Sequence, residues 1–276
     1  MKQRILIYLV AVITAVFCLA AQQQGQPAGQ GGQQPAGKSA PAPPPQLTPE
    51  QQALNAVIAA QRANDADGLI KAAEALATGF PTSPYAELSL TLEADVYQQI
   101  KKDPIKAQLI YERILTIDPR SIVANMTLAE LITSQANEKA FDFADKMNSA
   151  EKYLKTTLEI LSGPKTNPQM TDQQWDAAKQ TSSAEVHNDL GMVALFRKNY
   201  DSAIQEFTSA TTLSPAEPAY MARLAHAQQM GGKNDAAIAT CDKLLADPNL
   251  NPTIKNLVTT VKANAQKAMA NPPAAK

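Results

Sequence analysis

Residues 184–215 read AEVHNDLGMVALFRKNYDSAIQEFTSATTLSP. A large residue, His187, holds the fourth place, Leu190 and Gly191 the seventh and eighth, and Ala194 the eleventh. Ala203 follows at the twentieth place, Phe207 at the twenty-fourth, Ala210 at the twenty-seventh and Pro215 at the thirty-second. This spacing describes a helical hairpin. Gly191 and Ala203 are small where two helices cross closely, and Phe207 fills the space between them. Pro215 ends the second helix, because a proline ring cannot continue one.

The pattern recurs on both sides. Counted from Pro218, the slots hold Met221, Leu224, Ala225, Gln228, Ala237, Cys241 and Leu244, with Pro248 one residue early. Upstream, Leu90, Ala94, Tyr97, Ala107, Tyr111, Ile114 and Pro119 fit after a one-residue insertion. Asn125, Leu128, Ala129 and Ile132 begin a further unit, whose second helix is delayed to about 147–161. The first hairpin, about 49–81, keeps Leu69, Ala73, Leu76 and Pro81. Self-similarity at such a period is the mark of a solenoid, in which each unit buries its apolar face against its neighbours.

Over residues 47–270 the chain resembles the tetratricopeptide repeat proteins. The resemblance implies an all-α solenoid of about five hairpins in a right-handed superhelix. The stretch 80–86, FPTSPYA, also looks like junctions in repeat proteins of the bacterial envelope, including outer-membrane assembly lipoproteins.

Local signals agree. Thr48-Pro49-Glu50-Gln51 and Thr171-Asp172-Gln173-Gln174 read as capping boxes. Ser83-Pro84, Asp103-Pro104 and Asn251-Pro252 each set a capping residue before a proline suited to the first helical position. The Thr171 box extends the first helix of the fourth hairpin backwards through Trp175. A last helix, about 252–270, carries Lys255, Lys262, Gln266 and Lys267 and is expected to close the stack with a polar face. Composition points the same way: Ala, Leu, Gln and Lys are abundant, all good helix formers, and aromatic residues make up only 5%.

The N-terminus differs. Lys2 and Arg4 precede residues 5–21, which carry no charge and end in small residues at Cys18-Leu19-Ala20 and Leu19-Ala20-Ala21. Residues 1–21 are therefore expected to be a signal peptide, or, if uncleaved, a membrane anchor through residues 5–21. Phe17 before Cys18 does not suit a lipoprotein signal. Residues 22–46 are nearly all Gln, Gly, Pro and Ala and are expected to be a disordered linker, as are residues 271–276 as a tail. The chain is thus expected to be exported, either periplasmic or secreted, or held at the inner membrane by a retained leader.

Chemistry-bearing residues are sparse. Formal net charge is −1, and no run of five Lys or Arg suggests nucleic-acid binding. Two histidines, His187 and His226, and Cys241 form no ligand spacing for zinc. Cys241 takes an aromatic slot and reads as a buried thiol. Gly231-Gly232-Lys233 lacks the flanking residues of a phosphate loop and reads as a turn. No cofactor or metal is expected, and no enzyme motif appears.

What remains is surface. In the family resembled, places two, five, nine and twelve of each first helix line a concave groove. Here those places include Thr91, Asp95, Gln98, Met126, Glu130, Asn188, Met192, Leu195, His226 and Gln229. The lining is polar and Met-rich, which suits recognition of varied peptide shapes. The family's carboxylate clamp needs paired basic residues, and only Arg223 remotely fits. The expected function is a non-catalytic envelope scaffold or assembly factor binding protein or peptide partners, with a monomer favoured. The alternative is a structural tether between membrane and periplasmic machinery without a defined peptide ligand.

Overall fold

The structure, a computed structural model, describes residues 47–166 and 170–271. The leader, the linker at 22–46 and residues 272–276 of the expected tail lie outside the described residues. Among the described residues there are eleven α-helices and no strand. They are α1 (Pro49–Arg62), α2 (Ala66–Gly79), α3 (Ala86–Asp95), α4 (Pro104–Ile117), α5 (Ile122–Ser134) and α6 (Phe143–Ser162). Then come α7 (Asp172–Phe196), α8 (Tyr200–Leu213), α9 (Pro218–Met230), α10 (Asn234–Leu245) and α11 (Pro252–Ala270). Pairs α1–α2 through α9–α10 are five hairpins, each helix packs on its neighbours in sequence, and α11 covers both helices of the last pair.

Side chains set most of the helix starts. Thr48 and Thr171 close capping boxes with Gln51 and Gln174. Asp65, Asp103, Ser121, Asn199 and Asn251 each accept from a backbone N–H two or three residues ahead. Each such cap satisfies a donor that the helix itself leaves unpaired, worth about 1 kcal/mol. Ser83 is an exception to expectation. Its Oγ accepts from Tyr85 N at 3.2 Å, and α3 starts only at Ala86, without a side-chain cap. Pro84 therefore lies in the turn before the helix. The second helix of the third hairpin also starts earlier than expected, at Phe143.

Four of the five hairpins turn in the same way. Asn64, Lys102, Lys198 and Gly232 have φ of 52°, 54°, 58° and 74°. Each stands two residues before the second helix. At three of these turns the next N–H reaches back five residues, as in Asp65 N to Ala60 O, Asn199 N to Ala194 O and Lys233 N to Gln228 O. This is the Schellman closure, which ends a helix through one left-handed residue. At Lys102 the geometry is stretched. The extra residue read from the sequence appears as a π-helical segment, Val96–Lys101, and Asp103 N reaches back six residues to Tyr97 O.

The core follows the repeat slots. Ala73, Leu76, Leu90, Ala94, Ala107, Tyr111, Leu128, Ala203, Phe207, Ala210, Ala225, Ala237 and Cys241 are buried between helices. Leu190 and Leu224 are nearly so, and Pro215 follows the end of α8. His187 is half-buried, and its Nδ1 stands 2.7 Å from Glu206 Oε2, joining α7 to α8.

Candidate partner-binding surface

The expected groove residues divide by burial. Thr91, Met126 and Asn188 are 6%, 4% and 6% exposed, so they do not line an open surface. All three occupy place five of a first helix, which here faces the neighbouring helices. Met126 packs with Met147, Leu154 and Val186. Thr91 turns its hydroxyl back to Glu87 O at 2.9 Å. Asn188 Oδ1 on α7 accepts from Arg223 Nη1 on α9 at 2.5 Å, and its Nδ2 donates to Asp189 Oδ1 at 2.9 Å.

Asp95, Gln98, Glu130, Met192, Leu195, His226 and Gln229 are half-buried and come from the first halves of four successive hairpins, Gln98 from the π-helical segment that follows α3. Met192 and Leu195 rest on the cluster of Ala203, Phe207 and Leu224, so their positions are fixed from below. Asp95 Oδ1 accepts from the Tyr111 hydroxyl at 3.2 Å. Burial holds that carboxyl above its ordinary range, the Tyr111 bond working against it.

Several neighbours were not anticipated. Tyr220 of α9 is half-buried, and its phenol is pushed up to about 12, first by burial and then by Glu185, Asp189 and Glu217, against Arg223. Glu185 and Asp189 belong to α7. The signal that could have found this group is polar residues one repeat apart: Asn188 and Arg223 are separated by 35 residues. The charge balance of these helices is also lopsided. Residues 86–98, 122–134, 184–196 and 218–230 contain Glu87, Glu93, Asp95, Glu130, Glu185 and Asp189, against Arg223 as their one Lys or Arg.

Among the described residues no group of three or more His, Cys, Asp or Glu is placed to hold a metal ion. The Cys241 thiol is fully buried and raised by burial and by Asp242, which makes it a poor nucleophile. Gly231-Gly232-Lys233 forms the turn between α9 and α10.

The tetratricopeptide repeat family profile matches residues 194–260, from the end of α7 into α11. Comparison with curated protein sequences finds no match. Among solved structures, the assembly chaperone of RpL4 (Acl4) superposes with a TM-score of 0.55 at 15% identity, over 83% of this chain and 92% of that one. MamA from Desulfovibrio magneticus RS-1, residues 41 to the end, gives 0.52 at 12%, over 76% and 96%. PilF of Pseudomonas aeruginosa gives 0.52 at 14%, over 82% and 93%. At such identities the likeness is one of fold: a tetratricopeptide-type helical solenoid.

Proposed function

We propose that this tetratricopeptide-repeat solenoid is a non-catalytic scaffold or assembly factor that binds partner proteins along its first helices. The observation that carries the reading is that Gln98, Glu130, Met192, Leu195, His226 and Gln229 are half-buried at corresponding places of four successive hairpins, with Met192 and Leu195 held by the core beneath. A row of side chains from rigid elements can engage one extended segment at several points, and hot spots on such surfaces are worth about 2 kcal/mol or more each. The fold relative Acl4, by its name, is an assembly chaperone of RpL4, which is in keeping with this role. Across residues 86–98, 122–134, 184–196 and 218–230 carboxylates outnumber the single arginine even with Glu93 buried, which does not suit capture of an acidic or carboxylate-ended segment.

Residence in the cell envelope belongs to the same proposal and rests on residues 1–21. The competing reading, a tether that holds no peptide, rests on the Gln/Pro/Gly/Ala stretch at 22–46. A photo-crosslinking residue placed at Met192 or Gln229 should capture a defined partner in the native envelope, and one placed at exposed Lys243 on α10 should not. Changing Met192, Leu195, His226 and Gln229 together to Ala should abolish the capture without moving the unfolding midpoint much. If partners persist in that variant and are lost only when residues 22–46 are deleted, the tether reading takes its place.

A further inference from the structure

Place seven of the first helix is leucine in three successive hairpins, Leu128, Leu190 and Leu224, with exposures of 0%, 7% and 9%. In the second hairpin the same slot holds Glu93, buried to 6%. Its Oε2 is enclosed and meets no hydrogen-bond donor among the described residues. Two charged groups face it from the helices packed on α3: Glu74 from α2 and Arg113 from α4. These two are joined to each other, and Arg113 Nη2 also donates to Thr78 Oγ1 at 3.2 Å. The guanidinium is thus engaged by Glu74 and Thr78.

Other titratable groups of the surrounding helices are turned to other partners or to solvent. Lys101 Nζ binds Asp67 at 2.6 Å, and Gln108 donates to Glu112 at 2.9 Å. Tyr111 donates to Asp95, Ser121 donates to Glu87 at 2.5 Å, and Lys71 is exposed. A carboxyl in a leucine slot without a donor keeps its proton, because desolvation penalises the charged form. Burial, and then the charge of Glu74, pushes Glu93 up to about 7, against the pull of Arg113.

We propose that Glu93 is a pH-sensitive latch in the second hairpin. As a neutral acid it fills the leucine slot; on losing its proton it draws Arg113 from Glu74 and loosens α3 against α2 and α4. The sign follows from proton linkage. The unfolded chain releases this proton near 4.5 and the folded chain near 7, so stability falls as pH rises between those values and levels off above.

The test is the unfolding midpoint of the full chain at steps from about pH 4.5 to about pH 8.5, for wild type, Glu93→Gln and Glu93→Leu. Relative to Glu93→Gln, wild type should lose several degrees up to about pH 7 and then run parallel. Glu93→Leu should follow Glu93→Gln. Parallel curves for wild type and Glu93→Gln over the whole range overturn the proposal. Should the variants not fold, the wild-type Glu93 carboxyl can be titrated by carbon-detected NMR. A midpoint near 7, with amide exchange in α3 quickening above it, supports the latch. A midpoint in the ordinary carboxylate range, or a titration without quicker exchange, overturns it.

Discussion

The ring of Phe207 lies over Gly191 so closely that a Cβ on that glycine would stand 2.6 Å from Cε1 and 2.8 Å from Cδ1. Real Cβ atoms do not approach so near, and Phe207 is itself fully buried. Gly191→Ala should therefore destabilise the fold by about 1–3 kcal/mol through overpacking, despite the better helix propensity of alanine. Gly191→Leu should cost about 2–4 kcal/mol. Pairing Gly191→Ala with Phe207→Leu should be less harmful than the sum of the two single changes, since the clash is shared. Urea denaturation of Gly191→Leu, the two single changes and their pair checks this, and simple additivity would show that the two residues do not meet.

The turn before α10 offers a cleaner backbone test. Gly232 has φ of 74°, and no atom would lie within 4 Å of an added Cβ. Gly232→Ala should cost about 1 kcal/mol from conformation alone. At the equivalent places in α3–α4 and α7–α8, Lys102 and Lys198 already bear that strain, so Lys198→Gly should be neutral or stabilising by up to about 1 kcal/mol. Thermal melts that moved in the opposite directions would contradict the shared turn geometry.

Lys233 is the N-cap of α10 and makes no side-chain cap, whereas Asp65, Asp103 and Asn199 cap at the same point of their hairpins. Lys233→Asp supplies the missing acceptor and puts negative charge at the helix start. A gain of about 0.5–1.5 kcal/mol is expected. The pair lost, Lys233 with Asp201 at 3.9 Å, is exposed and contributes little. An unchanged or lowered denaturation midpoint would count against it.

Arg223 and Asn188 form a polar link between α7 and α9. Arg223→Ala would remove the donor from a side chain that is 6% exposed and should cost about 1–3 kcal/mol. The same change should leave photo-crosslinking from Gln229 intact when corrected for the folded fraction. Loss of crosslinking beyond that correction would place Arg223 among the partner contacts.

The hairpins were legible because their slots are set by volume. Gly191, Ala203 and Phe207 name a close crossing, and a residue sequence displays side-chain size directly. The caps at Thr48 and Thr171 were legible for a similar reason, since a cap is a contact between residues three apart. Ser83 misled because a serine before proline caps a helix or closes a turn equally well, and Tyr85 N decides between them only in three dimensions. Burial along the surface was harder to read. Place five of each first helix reads as groove lining, yet Met126 and Asn188 are enclosed by neighbouring helices. How closely successive hairpins approach depends on every side chain between them, and no local spacing encodes it. Glu93 was passed over because Leu90 and Ala94 around it fit the pattern.

The π-helical segment before Lys102 bears on how such chains can change length. One surplus residue upstream of the turn is taken up as a wider coil at the end of α3, and the left-handed residue still falls two before α4. Ala107, Tyr111 and Ile114 therefore meet their partners as if nothing had been inserted. The turn acts as the origin from which the second helix is phased, so the reading frame of this repeat is reset at that hairpin tip. Insertions ahead of a tip are forgiven, while one placed just after it would rotate an entire helix out of the core.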